Sequence, residues 1–371
     1  MKKSILKICF KPLSFINKLI KKDNSLIFFY SNLGFRDNVR AFYEYLIENN
    51  YNDKFKIAVS INDYEDYEKN APANVTFMSN RKGIKTFMKA KYAFYCFGKY
   101  PIKPAKNQMV VNLWHGTPLK KIGNLEKGLE NIDYNFFTSV ITTSPMYKPI
   151  MAKIFGCSER NVKVFGNPRN DEMFKENRLI DDYIRGKNSK VIVWLPTYRE
   201  YDDDFTVSVL NENHMQQLNN FLEKNNCKLI IKLHPLQKAD AHSINHTNIE
   251  FVTQKQLSDT NSTVYTLLRN ADGLITDYSS VYFDYMLLDR PIAFAVEDIE
   301  QYKARRGFIF DNPKEYMPGM EVRDLNDIKN FITSIVTNKD AYKEQRHRVN
   351  ERINYYKDGN NCKRIAEYFI K

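Results

Sequence analysis

Val111-Asn112-Leu113-Trp114-His115-Gly116-Thr117-Pro118-Leu119-Lys120 carries an apolar strand pattern, begun at Met109, straight into a histidine and then into a turn. Met109 to Trp114 supplies the apolar run of a strand. Gly116 permits unusual backbone angles and Pro118 removes a ladder donor, so the strand must stop there. A second stretch repeats the arrangement: Leu229-Ile230-Ile231-Lys232-Leu233 is followed by His234-Pro235. Two of the chain's six histidines therefore fall at strand ends. One such histidine could simply cap a strand and bond a carbonyl. In open α/β sheets, however, ligands bind outside the carboxyl ends of the strands, so the pair marks a place for chemistry if both face one crevice. His214, His242, His246 and His347 lie in polar or helical surroundings and read as surface residues.

Working outward, strand and helix patterns alternate. Ser25 to Ser31, Phe55 to Ser60, Val75 to Met78, Tyr92 to Phe97 and Met109 to Trp114 read as strands. Asp37 to Asn50 reads as a helix with Val39, Phe42, Tyr43 and Leu46 on one face, and Gly83 to Ala90 as another. After a charged stretch from Asp171 to Lys190, taken as the interdomain linker, a second series begins. Its strands are Val191 to Leu195, Lys228 to Leu233, Ile249 to Val252, Gly273 to Thr276 and Pro291 to Val296. Such alternation implies parallel sheets with right-handed crossovers. Asp340 to Lys371 reads as helix packing back across the domain junction, and no fixed-period repeat or low-complexity tract is present.

At 371 residues and 43% hydrophobic, the chain suits two domains. Five widely spaced cysteines without a C-x-x-C pair suggest neither a zinc site nor a disulfide framework, and a reducing compartment fits. The net charge is +12, and half of it sits in residues 1–25, where seven lysines face one aspartate. Apolar residues interleave with those lysines, but no run reaches the ~18 residues of a membrane span and no clean signal peptide is present. The expectation is a basic amphipathic leader, residues 1–24, lying in an anionic membrane surface; the alternative is a solvated first helix packed on the domain. Because the basic excess is concentrated there without a recognition motif, nucleic-acid binding is not expected.

Gly273-Leu274-Ile275-Thr276-Asp277-Tyr278-Ser279-Ser280, followed by Val281 to Met286, reads as a strand, a polar turn and an amphipathic helix. Serine hydroxyls at a helix start can complete an anion site, though serine and aspartate also cap helices without any ligand. Trp194-Leu195-Pro196-Thr197-Tyr198-Arg199 and Gly166-Asn167-Pro168-Arg169-Asn170-Asp171 end strands with arginines able to pair with phosphate or with a structural carboxylate. Arg305-Arg306-Gly307 adds further cations. There is no Walker loop, no G-x-G-x-x-G and no DXD pair at a strand end, and Asp202-Asp203-Asp204 reads as a solvated charge run.

The set Trp114 to Lys120, Pro196 to Arg199, Lys232 to Pro235 and Thr276 to Ser280, with Gly166 to Asp171, Arg306-Gly307 and the Ser31 to Asn38 region, resembles the CDP-glycerol glycerophosphotransferase family, which builds teichoic acids and related capsules. The resemblance covers roughly residues 25 to 360. It implies an α/β, GT-B-like architecture in which two Rossmann-like domains, residues 25–175 for the acceptor and 176–371 for the CDP donor, face a central cleft. His115 would be the catalytic base, and His234 a donor-phosphate ligand or second catalytic histidine. Gly116, Thr117, Arg169, Thr197, Arg199, Asp277, Ser279, Ser280 and Arg306 would bind substrate. No cofactor or metal is expected. The implied reaction moves glycerol phosphate from CDP-glycerol to a hydroxyl of a lipid-linked saccharide or polyol-phosphate acceptor, releasing CMP, at the cytoplasmic face of a bacterial membrane. A CDP-ribitol phosphotransferase, a metal-independent glycosyltransferase using a nucleotide sugar, and an inactive membrane scaffold are the competing readings; intact histidines at both strand ends argue against the last.

Overall fold

The computed structural model describes residues 2–176, 181, 184–196, 212–232, 246–260 and 262–371. It divides into two compact units. The first comprises Met1–Thr117, Ile122–Asp171 and Tyr355–Lys371; the second comprises Pro118–Lys121 and Glu172–Asn354.

In the first unit, strands β1 (Asp23–Tyr30), β2 (Lys56–Ser60), β3 (Val75–Met78), β4 (Ala90–Tyr95), β5 (Met109–Asn112), β6 (Ser139–Thr142) and β7 (Val162–Val164) form one sheet. Their order is β3-β2-β1-β4-β5-β6-β7 and every pairing is parallel. The order reverses between β1 and β4, which opens a crevice at their carboxyl ends. Apolar runs become central strands because helices cover both faces of a parallel sheet: Ile27, Phe28 and Phe29 have no exposed surface. The helix Asp37–Glu48 lays Val39, Phe42, Tyr43 and Leu46 on this sheet, the face its 3.6-residue spacing indicates.

The second unit repeats the topology with β8 (Lys190–Trp194), β9 (Cys227–Ile231), β10 (Ile249–Phe251), β11 (Gly273–Thr276), β12 (Ile292–Phe294) and β13 (Met320–Glu321), ordered β10-β9-β8-β11-β12-β13 and again all parallel. Its switch point lies between β8 and β11. Its core joins Ile192, Trp194, Leu218, Leu229 and Ile275 to Phe331 and Ile332.

One element of this architecture, the C-terminal segment, differs from the sequence-based expectation. The continuous C-terminal helix is instead two, Lys343–Ile353 and Asn361–Phe369, separated by residues 354–360 with Gly359 at φ +65°. Only the second belongs to the first unit, where Cys362, Ile365, Ala366 and Phe369 enter the core. Its start is held by Asp171, whose carboxylate accepts from the Asn361 N–H (2.9 Å) and the Cys362 N–H (2.7 Å). The basic leader forms a helix, Lys2–Leu19, whose inner side is fastened to the first unit. Asn17, fully buried, donates to Lys103 O (3.0 Å) and Gln108 Oε1 (2.8 Å), and the Lys22 ammonium donates to Asn17 O (2.8 Å), Asn17 Oδ1 (2.7 Å) and Met88 O. Phe15, Ile16 and Leu19 remain exposed beside Lys11 and Lys18. Among the described residues no helix is long and apolar enough to cross a membrane.

Candidate active site

His115 follows β5 by three residues and lies at the carboxyl edge of the first sheet, next to the loops after β1 and β4. It is half-buried. Its ring rests against Phe97, stacked at 5.1 Å between centroids and 18° between planes, and against Trp114 at 3.9 Å. The Arg36 guanidinium lies 5.6 Å from the Phe97 centroid, so one aromatic ring contacts both a cation and the imidazole. Trp114 adopts φ +52° and Gly116 φ +129°. A left-handed backbone at a bulky residue costs on the order of 1–3 kcal/mol and persists only where surrounding contacts hold it.

Those contacts are present. Asn38 Nδ2 donates to Leu113 O (2.9 Å) and Trp114 O (3.0 Å), and Cys96 Sγ donates to Trp114 O (2.7 Å). The Trp114 N–H donates to Asn112 Oδ1 at 2.9 Å. Arg169 Nη1 donates to His115 O at 3.0 Å and pairs with Asp37 Oδ2 at 2.7 Å, while the Arg169 N–H donates to Asn38 Oδ1 at 3.1 Å. Arg169, suggested by sequence as a phosphate ligand, is therefore nearly buried and turned to a carboxylate and a carbonyl beneath His115. Gly116 and Thr117 are buried, and the Thr117 hydroxyl bonds that of Thr143 at 2.9 Å. Asp37, Asn38, Cys96, Phe97 and Asn112 had no role assigned from sequence. The signal was partial: Asp37-Asn38 stood inside a recognised stretch, but nothing local links them to residue 115.

In the second unit, Asp277, Ser279 and Ser280 follow β11 at the switch point. Asp277 is 4% exposed and its Oδ1 accepts from the Ser279 N–H at 3.2 Å, closing the turn. Thr276 Oγ1 donates to Leu195 O (3.0 Å), tying this turn to the end of β8. Ser279 and Ser280 are half-buried, and Ser280 Oγ makes no hydrogen bond with the described residues. The following helix, Val281–Tyr285, is buried on every side rather than amphipathic, with the Tyr282 ring against Phe283 at 4.2 Å and edge-on to Phe294 at 5.0 Å. Tyr278, fully buried, stacks on Tyr302 at 4.2 Å and donates to Asp298 Oδ1 at 2.9 Å.

Arg306 is exposed at the end of helix Ile299–Arg305. The adjacent Gly307 to Ile309 backbone pairs with Leu119 to Lys121: Lys121 N–H donates to Gly307 O (3.1 Å) and Ile309 N–H to Leu119 O (2.9 Å). The H-G-T-P-L-K run thus divides, with His115 to Thr117 in the first unit and Pro118 to Lys121 in the second. His234, Thr197 and Arg199 lie outside the described residues. Among those described, no group of three or more His, Cys, Asp and Glu side chains could hold a metal ion.

Two doubly wound parallel sheets, each with polar groups gathered at its carboxyl edge, define an α/β protein of the doubly wound class, in which ligands sit at the switch points. The chain belongs to the CDP-glycerol:poly(glycerophosphate) glycerophosphotransferase family, whose profile matches residues 11–371, and it is an enzyme of that type. It is 29% identical to the teichoic acid poly(glycerol phosphate) polymerase of Bacillus spizizenii over 95% of this chain and 93% of that protein. It is 28% identical to the teichoic acid glycerol-phosphate transferase of Staphylococcus aureus over 95% of each. The solved structure of the wall teichoic acid polymerase TagF has the same fold, with a TM-score of 0.76 at 22% identity over 99% of this chain and 92% of that one.

Proposed function

We propose that the protein transfers glycerol phosphate from CDP-glycerol to an acceptor hydroxyl in teichoic acid synthesis. His115 removes the acceptor proton, and the resulting oxygen nucleophile attacks the β-phosphorus. The bond from that phosphorus to the bridging oxygen breaks, CMP leaves with that oxygen, and a phosphodiester forms. Phosphoryl transfer asks little covalent chemistry of the protein, so positioning and charge neutralisation dominate. Ser279 and Ser280, at a turn shaped by Asp277, are assigned to the donor diphosphate, with Arg306, His234, Thr197 and Arg199 as further donor ligands. The observation that carries the reading is a half-buried histidine on a polar-braced, strained loop at the carboxyl edge of the sheet, in a chain matched to this family along nearly its whole length.

Glycerol is preferred over ribitol because the relatives aligned over 95% of the chain are glycerol-phosphate enzymes. The poly(ribitol-phosphate) polymerase of B. spizizenii is also 29% identical, but the match spans 80% of this chain and 49% of that protein. The acceptor is a lipid-linked saccharide or polyol phosphate at the cytoplasmic membrane surface, met through the exposed apolar and basic side of the leader helix. Mass analysis of products from a synthetic polyprenyl-diphosphate disaccharide given CDP-glycerol, CDP-ribitol or a nucleotide sugar tests this. Transfer from CDP-glycerol is expected, and transfer only from another donor would overturn it. A general base contributes about 10²- to 10⁴-fold, so His115→Ala should lower kcat by that factor while donor binding survives.

A further inference from the structure

We infer that Arg169, Asp37 and Asn38 are positioning residues that set His115 for proton transfer by gripping the three carbonyls of its loop. The inference rests on the reading of His115 as the base. Leu113, Trp114 and His115 each have their carbonyl bonded by a side chain from elsewhere in the unit. Asn38 takes the first two, Cys96 shares the second and Arg169 takes the third. Asn38 is fully buried and Arg169 is 6% exposed, so the donors of these bonds sit largely out of water, the Asn38 bond to Leu113 O completely.

The grip is interlocked. Asp37 holds the Arg169 guanidinium at 2.7 Å, and its other oxygen accepts from the Asn38 N–H at 2.7 Å. The Arg169 N–H returns to Asn38 Oδ1 at 3.1 Å. Asp37 is itself at φ +60°, and Trp114 at φ +52° cannot relax while its carbonyl is held twice. Loss of the Arg169 contact removes one hydrogen bond from the His115 carbonyl and leaves Asp37 without its buried counter-charge, so the imidazole shifts on Phe97 while the β11 turn is untouched. Misplacement of a reacting group by about 1 Å can cost ~10²-fold in rate.

The test is a double-mutant cycle of His115→Ala and Arg169→Gln, measuring kcat and the KM for CDP-glycerol, with thermal unfolding recorded for each variant. Arg169→Gln should lower kcat about 10- to 100-fold with KM changed less than about threefold, and should change kcat less than about threefold when His115 is already alanine. Arg169→Lys, which keeps the charge beside Asp37, should recover part of the loss, and it replaces Gln in the cycle if that variant does not fold. Additive losses, or a raised KM with unchanged kcat, would overturn the inference in favour of a direct substrate contact. Near-normal kcat for His115→Ala would instead refute the base assignment. An impaired His115→Ala beside unimpaired Arg169→Gln and Arg169→Lys would refute the grip alone.

Discussion

Replacing Ser280 with alanine separates ligand binding from folding unusually well. The hydroxyl caps nothing and bonds none of the described residues, and the backbone at φ −63°, ψ −9° suits alanine. Removing it costs no internal hydrogen bond, so stability should change by less than about 0.5 kcal/mol, or roughly 1–2 °C in the melting temperature. A hydroxyl donating to a donor phosphate is worth about 1.5–3 kcal/mol as a bond to a charged group. At 1.4 kcal/mol per decade, its loss weakens CDP-glycerol binding roughly 10- to 150-fold. Calorimetric titration of wild type and variant with CDP-glycerol and with CDP reads this directly, and the deficit should appear with both ligands because both carry the diphosphate. Unaltered affinity in a variant with an unchanged melting temperature would remove Ser280 from the donor site.

Three further outcomes follow from the geometry. Burial raises the Asp171 carboxyl above the ordinary carboxylate range, while two N–H donors oppose that shift; its stabilising contribution is complete below the unfolded value near 4 and is lost as pH rises through the folded one. The difference in melting temperature between wild type and Asp171→Asn should therefore change as pH rises from the unfolded value through the higher folded one, and a difference independent of pH from 3.5 to 7 would contradict this. Changing Phe15, Ile16 and Leu19 together to glutamate should weaken binding to anionic vesicles at least tenfold, about 1.4 kcal/mol, without unfolding the protein, because these side chains are exposed; equal cosedimentation of variant and wild type would exclude this helix as the membrane contact. Gly83→Ala would set a methyl 2.2 Å from Ser60 Oγ and 2.5 Å from Tyr100 Oη, so chemical denaturation should register a loss of about 1–3 kcal/mol, and an unchanged midpoint would mean that this contact yields freely.

What the sequence conveyed, and what it withheld, divides along physical lines. Val75–Met78 and Gly273–Thr276 fall where their apolar runs put them, because strands in a helix-covered parallel sheet need such runs. Val162–Val164 and Met320–Glu321 are only three and two residues long and offer too few positions for a period to emerge. Around His115 the strand end and Gly116 were legible, but the left-handed Trp114 was not, since a bulky residue there is imposed by tertiary contacts. Sequence left Arg169 open between phosphate and carboxylate. Its carboxylate partner is 132 positions away, beyond any local pattern.

The Asp171 carboxylate and the N–H groups it binds are 190 and 191 residues apart along the polypeptide, and nearly the whole second unit is synthesised between them. A ribosome will have released seven strands of the first sheet long before the helix that seals them emerges. During that interval the surface awaiting Cys362, Ile365 and Phe369 is open to water and to chaperones. Nascent first units should therefore engage holdases until the closing helix arrives, which makes synthesis of that helix the step that commits the opening half of the molecule.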